Sequence, residues 1–238
     1  MNTIAGIRNG RSPSDGHFRG CGLDSGALRQ EVLADPRYRE ALACAEGRTV
    51  VTQDRLMNLF LLLTRYLSQL DPGDIIEFGS YRAGSAFFMG KLAQEFLPGT
   101  QVFALDTFSG LPEVDPTIDA HGAGDFKVDF QEITRMKDRL GLSNVHLIKG
   151  MFQDTAPGLL ARNRPFRLAH IDCDLYSSVI YSYDVSKSRM VKGGYIVFDD
   201  ATAPSCLGAT EAVESVVIQR DGLFSEQIWP HHVFRAGL

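Results

Sequence analysis

Two segments decide how this chain is read: Arg167–Val179, RLAHIDCDLYSSV, and Gly193–Asp200, GGYIVFDD. Each holds an apolar run of strand length that ends in acid. Asp172 and Asp174 close the first run, and Asp199 and Asp200 close the second. Burying an unpaired charge where a strand leaves a core is strongly unfavourable. Four carboxylates at neighbouring strand ends repel one another unless a cation sits among them, and hard oxygen ligands suit Mg²⁺ or a similar divalent ion. The expectation is a metal-assisted site at the carboxyl edge of an α/β sheet. In an extended segment, residues 172 and 174 share one face and His170 joins them. A histidine inside an apolar strand is more often a packed, hydrogen-bonded residue than a base. Cys173 faces the other way and reads as packing. Asp199 and Asp200 reach one ion only if the backbone turns at the strand terminus.

Working outward, strand-like and helix-like patterns alternate. DIIEFG (from Asp74), QVFALD, NVHLIKG, FRLAHID and GGYIVFDD read as five strands. Ser85–Phe96, Ile133–Leu140, Thr155–Ala161 and Ser177–Met190 read as the helices between them, and Gly208–Arg220 as a further helix. Such alternation implies a mainly parallel sheet with helices on both faces. LFSEQIW and HHVFRAG suggest a closing hairpin, giving a mixed sheet of seven strands. Ahead of the sheet, Glu31–Leu70 has helical spacing, with Thr52 as an N-cap candidate. Residues 1–25, rich in Gly, Ser, Asp and Arg, read as a flexible tail or an active-site lid before a single domain over 26–238. The connection between Asp106 and Ile133 is long and dense in Gly, Pro and Asp; long loops at the carboxyl ends of parallel strands shape binding sites.

Composition bounds the rest. The 238 residues, 44% of them apolar, suffice for one large core. A net charge of −5 argues against nonspecific nucleic-acid binding or an anionic membrane surface. Cys21, Cys44, Cys173 and Cys206 are scattered without zinc-ligand spacing and read as reduced thiols. Leu56–Leu67 is the most hydrophobic window, too short to cross a bilayer and interrupted by Arg65. With no signal-peptide pattern, a cytoplasmic location is expected.

IIEFGSYRAGS (Ile75–Ser85) carries the first strand into its helix. Gly79 lets the chain turn close to a ligand. Gly84 and Ser85 stand at the helix start, where free N–H groups favour an anion, and Ser80 is a further cofactor-binding candidate. Asp106, ending the second strand, can accept hydrogen bonds from both hydroxyls of a ribose. Glu77, inside the first strand, would repel a pyrophosphate but suits the cationic amino-acid end of S-adenosylmethionine (SAM), which favours SAM over a nicotinamide dinucleotide. Tyr81, Tyr176 and Arg82 read as local packing or solvated charge, and nothing in the spacing of His231 and His232 demands a role.

RLMNLF, PGDIIEFGSYRAGSA, ALDTFSGLPE, GDF, KGMFQDT, HIDCDLYSS and KGGYIVFDD follow one another along Val51–Arg220. In this order they resemble the macrocin O-methyltransferase (TylF-type) family, which modifies sugar hydroxyls in bacterial natural products. The resemblance implies a Rossmann-like class I SAM-dependent methyltransferase fold with an N-terminal helical extension, a divalent metal, usually Mg²⁺, and a homodimer or larger homo-oligomer. It places Asp172, Asp199 and Asp200 at metal-ligand positions and Asp174 at the general-base position. Glu77, Gly79, Ser85 and Asp106 fall at cofactor positions. Asp125 and Asp154 fall in loops that close over cofactor or substrate. Ala83 stands where family members often carry Gly.

The chemistry expected is in-line transfer of CH₃ to a sugar hydroxyl or a glycosylated natural product. The alcohol is a very weak acid, so a metal would stabilise the developing alkoxide while Asp174 takes the proton. O-methylation of a catechol-type phenol and a non-catalytic SAM-binding protein are the alternatives.

Overall fold

The computed structural model describes residues 27–161, 164–203, 205–227 and 229–237; the lid or tail expected over 1–25, and Cys21 in it, lie outside these residues. Six strands form the sheet: β1 (Asp74–Phe78), β2 (Val102–Asp106), β3 (Val145–Lys149), β4 (Phe166–Ile171), β5 (Met190–Phe198) and β6 (His232–Arg235). Their order is β3-β2-β1-β4-β5-β6, all parallel except β6 against β5. The chain runs outward from β1 through β2 to β3, then returns to place β4 on the other side of β1. That reversal opens a crevice at the carboxyl ends of β1 and β4, the usual ligand position in open α/β sheets.

Eight helices accompany the strands among the described residues. They are α1 (Leu28–Ala34), α2 (Pro36–Ala45), α3 (Gln53–Leu61), α4 (Gly84–Phe96), α5 (Phe130–Arg139), α6 (Phe152–Leu160), α7 (Tyr176–Lys187) and α8 (Leu207–Ala212). The apolar window after Thr52 becomes α3 followed by a π-helical turn over Leu62–Tyr66, and α8 widens in the same way over Val213–Arg220. Thr52 occupies the N-cap of α3 but makes no side-chain cap bond, whereas Asp129 caps α5 by accepting from Gln131 and Glu132 N–H and so starts that helix at Phe130.

Alternation along the strands feeds two apolar layers. Ile75, Ala104, Leu168 and Val197 meet α2, α3 with its π-helical turn, and α4 through Tyr38, Leu59, Leu63, Phe87 and Phe88. Ile76, Phe78, Leu105, Ala169, Ile196 and Phe198 meet α6, α7 and α8 through Ala156, Tyr183 and Ala209. Each fully buried large side chain contributes roughly 1.5–3 kcal/mol. No described helix is long and apolar enough to cross a membrane.

The seventh strand is a correction. Among the described residues its place is held by one antiparallel bridge, Gln227 with Val233. Glu226 N–H donates to the Val233 carbonyl at 2.7 Å and Val233 N–H to the Gln227 carbonyl at 2.9 Å, and the Ser225 hydroxyl adds contacts to the same groups. Pro230 has no N–H to offer.

Candidate functional site

Glu77, His170 and Asp199 lie on the same face of three adjacent strand ends. Glu77 pairs in register with His170, and His170 with Val197. All three side chains are sealed beneath α3, which lends Arg55 and Asn58. Glu77 Oε1 meets His170 Nδ1 at 3.0 Å. His170 Nε2 lies 3.6 Å from Asp199 Oδ1, an electrostatic contact rather than a hydrogen bond. His231 Nε2 meets the same oxygen at 2.7 Å, Arg55 donates to Asp199 Oδ2, and Asn58 Nδ2 lies 2.9 Å from His231 Nδ1. With the Asn58 amide donating, His231 carries its proton on Nε2 and passes that donor to Asp199.

The electrostatics agree. Burial alone would push His170 down, but Asp199 and Glu77 outweigh it and raise it to about 9, so the ring is an imidazolium. Burial holds His231 neutral by lowering its pKa. Burial would raise Asp199, yet His170, His231 and Arg55 hold it well below the carboxylate range. Two anions and two cations thus compensate one another inside the protein.

One step further out the compensation ends. One carboxylate oxygen each from Asp172, Asp199 and Asp200 gather within 4.8 Å of one another. Burial pushes Asp172 well above the ordinary range, and the charges of Asp199, Asp200, Asp174 and Glu77 push the same way. Asp200 is raised by burial and by Asp174 and Asp199, although its Oδ2 accepts Asp174 N–H at 2.8 Å. The donor set is all oxygen and the local charge is in negative excess, which fits a hard divalent cation.

Asp174 stands beside this trio but does not share the strand face expected of it. β4 ends at Ile171 and Asp174 takes a left-handed backbone, φ 59°. Its Oδ1 turns instead to His121 Nε2 and Cys206 Sγ, each at 3.4 Å. Burial raises the Asp174 carboxyl, and His121 and Cys206 offset only part of that.

These groups line a cavity of about 940 Å³ at the β1/β4 crevice, together with Gly79, Tyr81, Asp106, Arg55 and the long loop after β2. Gly79 is needed for close approach: with φ 85°, a Cβ there would stand 1.7 Å from the Asp172 carbonyl oxygen. Asp106 accepts from Ser80, Tyr81 and Phe108 N–H at 2.9, 2.8 and 2.6 Å. Burial still raises it overall. A carboxylate has about four acceptor positions, so Asp106 keeps room for a hydroxyl.

The remaining candidates lie elsewhere. Glu77 sits below the cavity, and its Oε2 is buried without a partner. Ser80 is buried and supplies its backbone N–H to Asp106. Gly84 N–H is taken by the Arg48 carbonyl at 3.1 Å, and Ser85 is buried in α4. Asp125 is exposed and closes a turn by accepting Gly122 N–H at 2.8 Å. Asp154 is exposed in the first turn of α6. Ala83 takes φ 60°, the left-handed conformation that explains why a glycine suits this position.

Arg55, Asn58, His121 and Cys206 were not singled out from sequence for the site, and the sequence leaves His231 open as a residue that could border it. Arg55 and Asn58 fall within RLMNLF, a string whose value as a motif was visible without its chemistry. Asp119 was missed too: it accepts Tyr176 N–H at 2.9 Å and so pins the loop carrying His121 to the start of α7. Gly208 makes room for it, since a Cβ there would lie 2.0 Å from Asp119 Oδ1.

The comparisons with known proteins converge. The sequence model of the macrocin-O-methyltransferase (TylF) family matches residues 26–218. A tetracenomycin-series 4'-O-methyltransferase of Streptomyces olivaceus, whose named substrate carries a dimethoxy-rhamnosyl group, is 30% identical over 192 residues, 75% of this chain and 72% of that one. The mycinamicin III 3''-O-methyltransferase of Micromonospora griseorubida is 28% identical over 75% of this chain and 78% of its own. Among solved structures, the calicheamicin methyltransferase CalS11 superposes with a TM-score of 0.66 at 21% identity over the whole of both chains. The O-methyltransferase NovP gives 0.67 at 22% identity over 89% of this chain and 96% of its own. Their common fold is the Rossmann-like class I arrangement of SAM-dependent methyltransferases.

Proposed function

The chain belongs to the macrocin O-methyltransferase family of SAM-dependent O-methyltransferases, and on that premise we propose that it methylates a sugar hydroxyl, free or on a glycosylated natural product, with Mg²⁺ or a similar dication. The observation that carries the metal requirement is the gathering of Asp172, Asp199 and Asp200, with no cationic partner for Asp172 among the described residues. The named substrates of the relatives support the sugar.

Asp172, Asp199 and Asp200 would hold the ion. When bound, it would neutralise the trio and stabilise negative charge developing on the acceptor oxygen. The protein's residues do the rest. Arg55 and His231 fix both oxygens of Asp199, so that ligand is oriented before any ion arrives. Asp106, on the cavity wall, accepts a ribose hydroxyl of SAM, whereas Glu77, expected from sequence to meet the cofactor, is sealed below the cavity and serves as the partner of His170. Asp174 takes the proton of the attacking hydroxyl as the C–O bond forms and the sulfonium–methyl bond breaks, leaving a neutral thioether. A carboxyl whose pKa is raised by burial is the stronger base for that step. The cavity walls hold donor and acceptor in line and shut out competing water.

The test incubates the enzyme and isotopically labelled SAM with a panel of glycosides and catechols, with Mg²⁺ or with chelator. Mass spectrometry is expected to find label on a sugar oxygen in the Mg²⁺ arm alone. Label on catechols only, or full transfer in chelator, overturns the proposal.

A further inference from the structure

The cavity wall also holds an imidazole and a thiol to which the methyl transfer proposed above gives no direct step. His121 comes from the loop after β2, Asp174 from the turn after β4 and Cys206 from the residue before α8. Their ligating atoms form a nearly regular triangle. His121 Nε2 to Asp174 Oδ1 is 3.4 Å, His121 Nε2 to Cys206 Sγ is 3.5 Å, and Cys206 Sγ to Asp174 Oδ1 is 3.4 Å. Zinc binds Cys at about 2.3 Å and His or carboxylate at about 2.0–2.2 Å in a tetrahedron, whose corners are then about 3.4–3.6 Å apart. The three atoms already stand at that spacing. All three residues line the cavity, so a fourth ligand has access. The N, O, S donor set is softer than the oxygen-only trio nearby, and softness sorts divalent metals between such sites. The loop bearing His121 is pinned through Asp119 to Tyr176 N–H, which keeps the imidazole in place.

We propose that His121, Asp174 and Cys206 form a site for a borderline-soft dication of the Zn²⁺ class, distinct in chemistry from the Asp172, Asp199 and Asp200 trio. Binding releases the thiol proton to solvent and leaves a metal–thiolate bond. It also takes Asp174 Oδ1 out of proton transfer, so an occupied site stops turnover. That last consequence alone rests on the base role proposed for Asp174.

Co²⁺ serves as the spectroscopic probe. The chelator-stripped, full-length protein is titrated with Co²⁺ in saturating Mg²⁺, with folding of each variant checked by circular dichroism. The expected result is an intense thiolate-to-cobalt charge-transfer band that Zn²⁺ erases and extra Mg²⁺ does not. Cys206→Ala and Cys206→Ser abolish the band, and His121→Ala weakens Co²⁺ affinity by about a hundredfold. A wild-type protein without the band, or one whose band survives in a folded Cys206 variant, overturns the site. The band together with undiminished methyl transfer in Zn²⁺ overturns the role of Asp174 while supporting the site.

Discussion

The two ends of α7 hold carboxylates in opposite circumstances. At its C-terminal end Asp184 and Asp221 meet Lys187 at 2.8 and 2.7 Å, Arg220 reaches both acids, and the Tyr183 hydroxyl donates to Asp221 at 2.8 Å. Arg220 first, and Lys187 after it, hold both acids below their ordinary range. At its N-terminal end the half-buried Asp172 and Asp174 crowd against the buried Asp200, and all three are raised. Acids that the chain matches with its own cations hold helices together. Acids that it leaves crowded carry unspent attraction for something not encoded in the chain, and a functional site is where such local conflict is expected.

The sharpest way to break this contrast is to neutralise the acid proposed as the base. Asp174→Asn keeps the size of the side chain and removes the proton acceptor. Turnover is expected to fall about 10²–10⁴-fold, with SAM affinity by calorimetry near wild type; unaltered turnover would sink the assignment.

The next largest effect falls where the site is charge-matched. His170→Leu strips the imidazolium from between Glu77 and Asp199 and leaves buried anions without it. Urea denaturation should report a loss of about 3–5 kcal/mol. A loss below about 1 kcal/mol would mean that the imidazolium contributes little to holding Glu77 and Asp199 together.

Asp200→Asn works in the opposite direction, because it relieves repulsion while still accepting the Asp174 N–H. The metal-free variant should be more stable than wild type by urea denaturation, because the carboxylate that burial and its neighbours disfavour is gone. It should also lose most of the thermal stabilisation that Mg²⁺ confers on wild type. A less stable metal-free variant would contradict the picture of a crowded trio.

The smallest effect belongs to the C-terminal end. A carboxylate whose folded pKa is depressed stabilises above its unfolded value and loses that contribution as pH falls toward the folded one. Asp221→Asn should therefore remove an increment present at neutral pH and flatten the stability loss below about pH 4. Parallel acid profiles for the two proteins would show that the ion pairs contribute nothing measurable.

Much of this was legible in the chain. Five apolar runs ending in Gly or Asp, separated by helical spacing, suffice for the parallel sheet. Once the sheet is granted, Asp172 and the Asp199–Asp200 pair must meet, because β4 and β5 are neighbours. What was hidden depends on distant partners. Arg55 meets Asp199 across 144 residues and Asn58 meets His231 across 173. No periodicity spans that distance. The strand rule also failed at Asp174, where a left-handed residue redirects a side chain that alternation would have placed beside Asp172. The last strand fell short because, among the described residues, the backbone pairing of Glu226 and Gln227 with Val233 stops at a single bridge.

Arg55 and Asn58 stand one turn apart on α3 and act on the same aspartate, one directly and one through His231. Trimming the enzyme down to its sheet and the helices that cross between strands would sever both tethers at once. A fragment that starts after Leu61 is therefore expected to lose the anchoring of Asp199, and α3 belongs with the sheet as part of the frame that orients this aspartate.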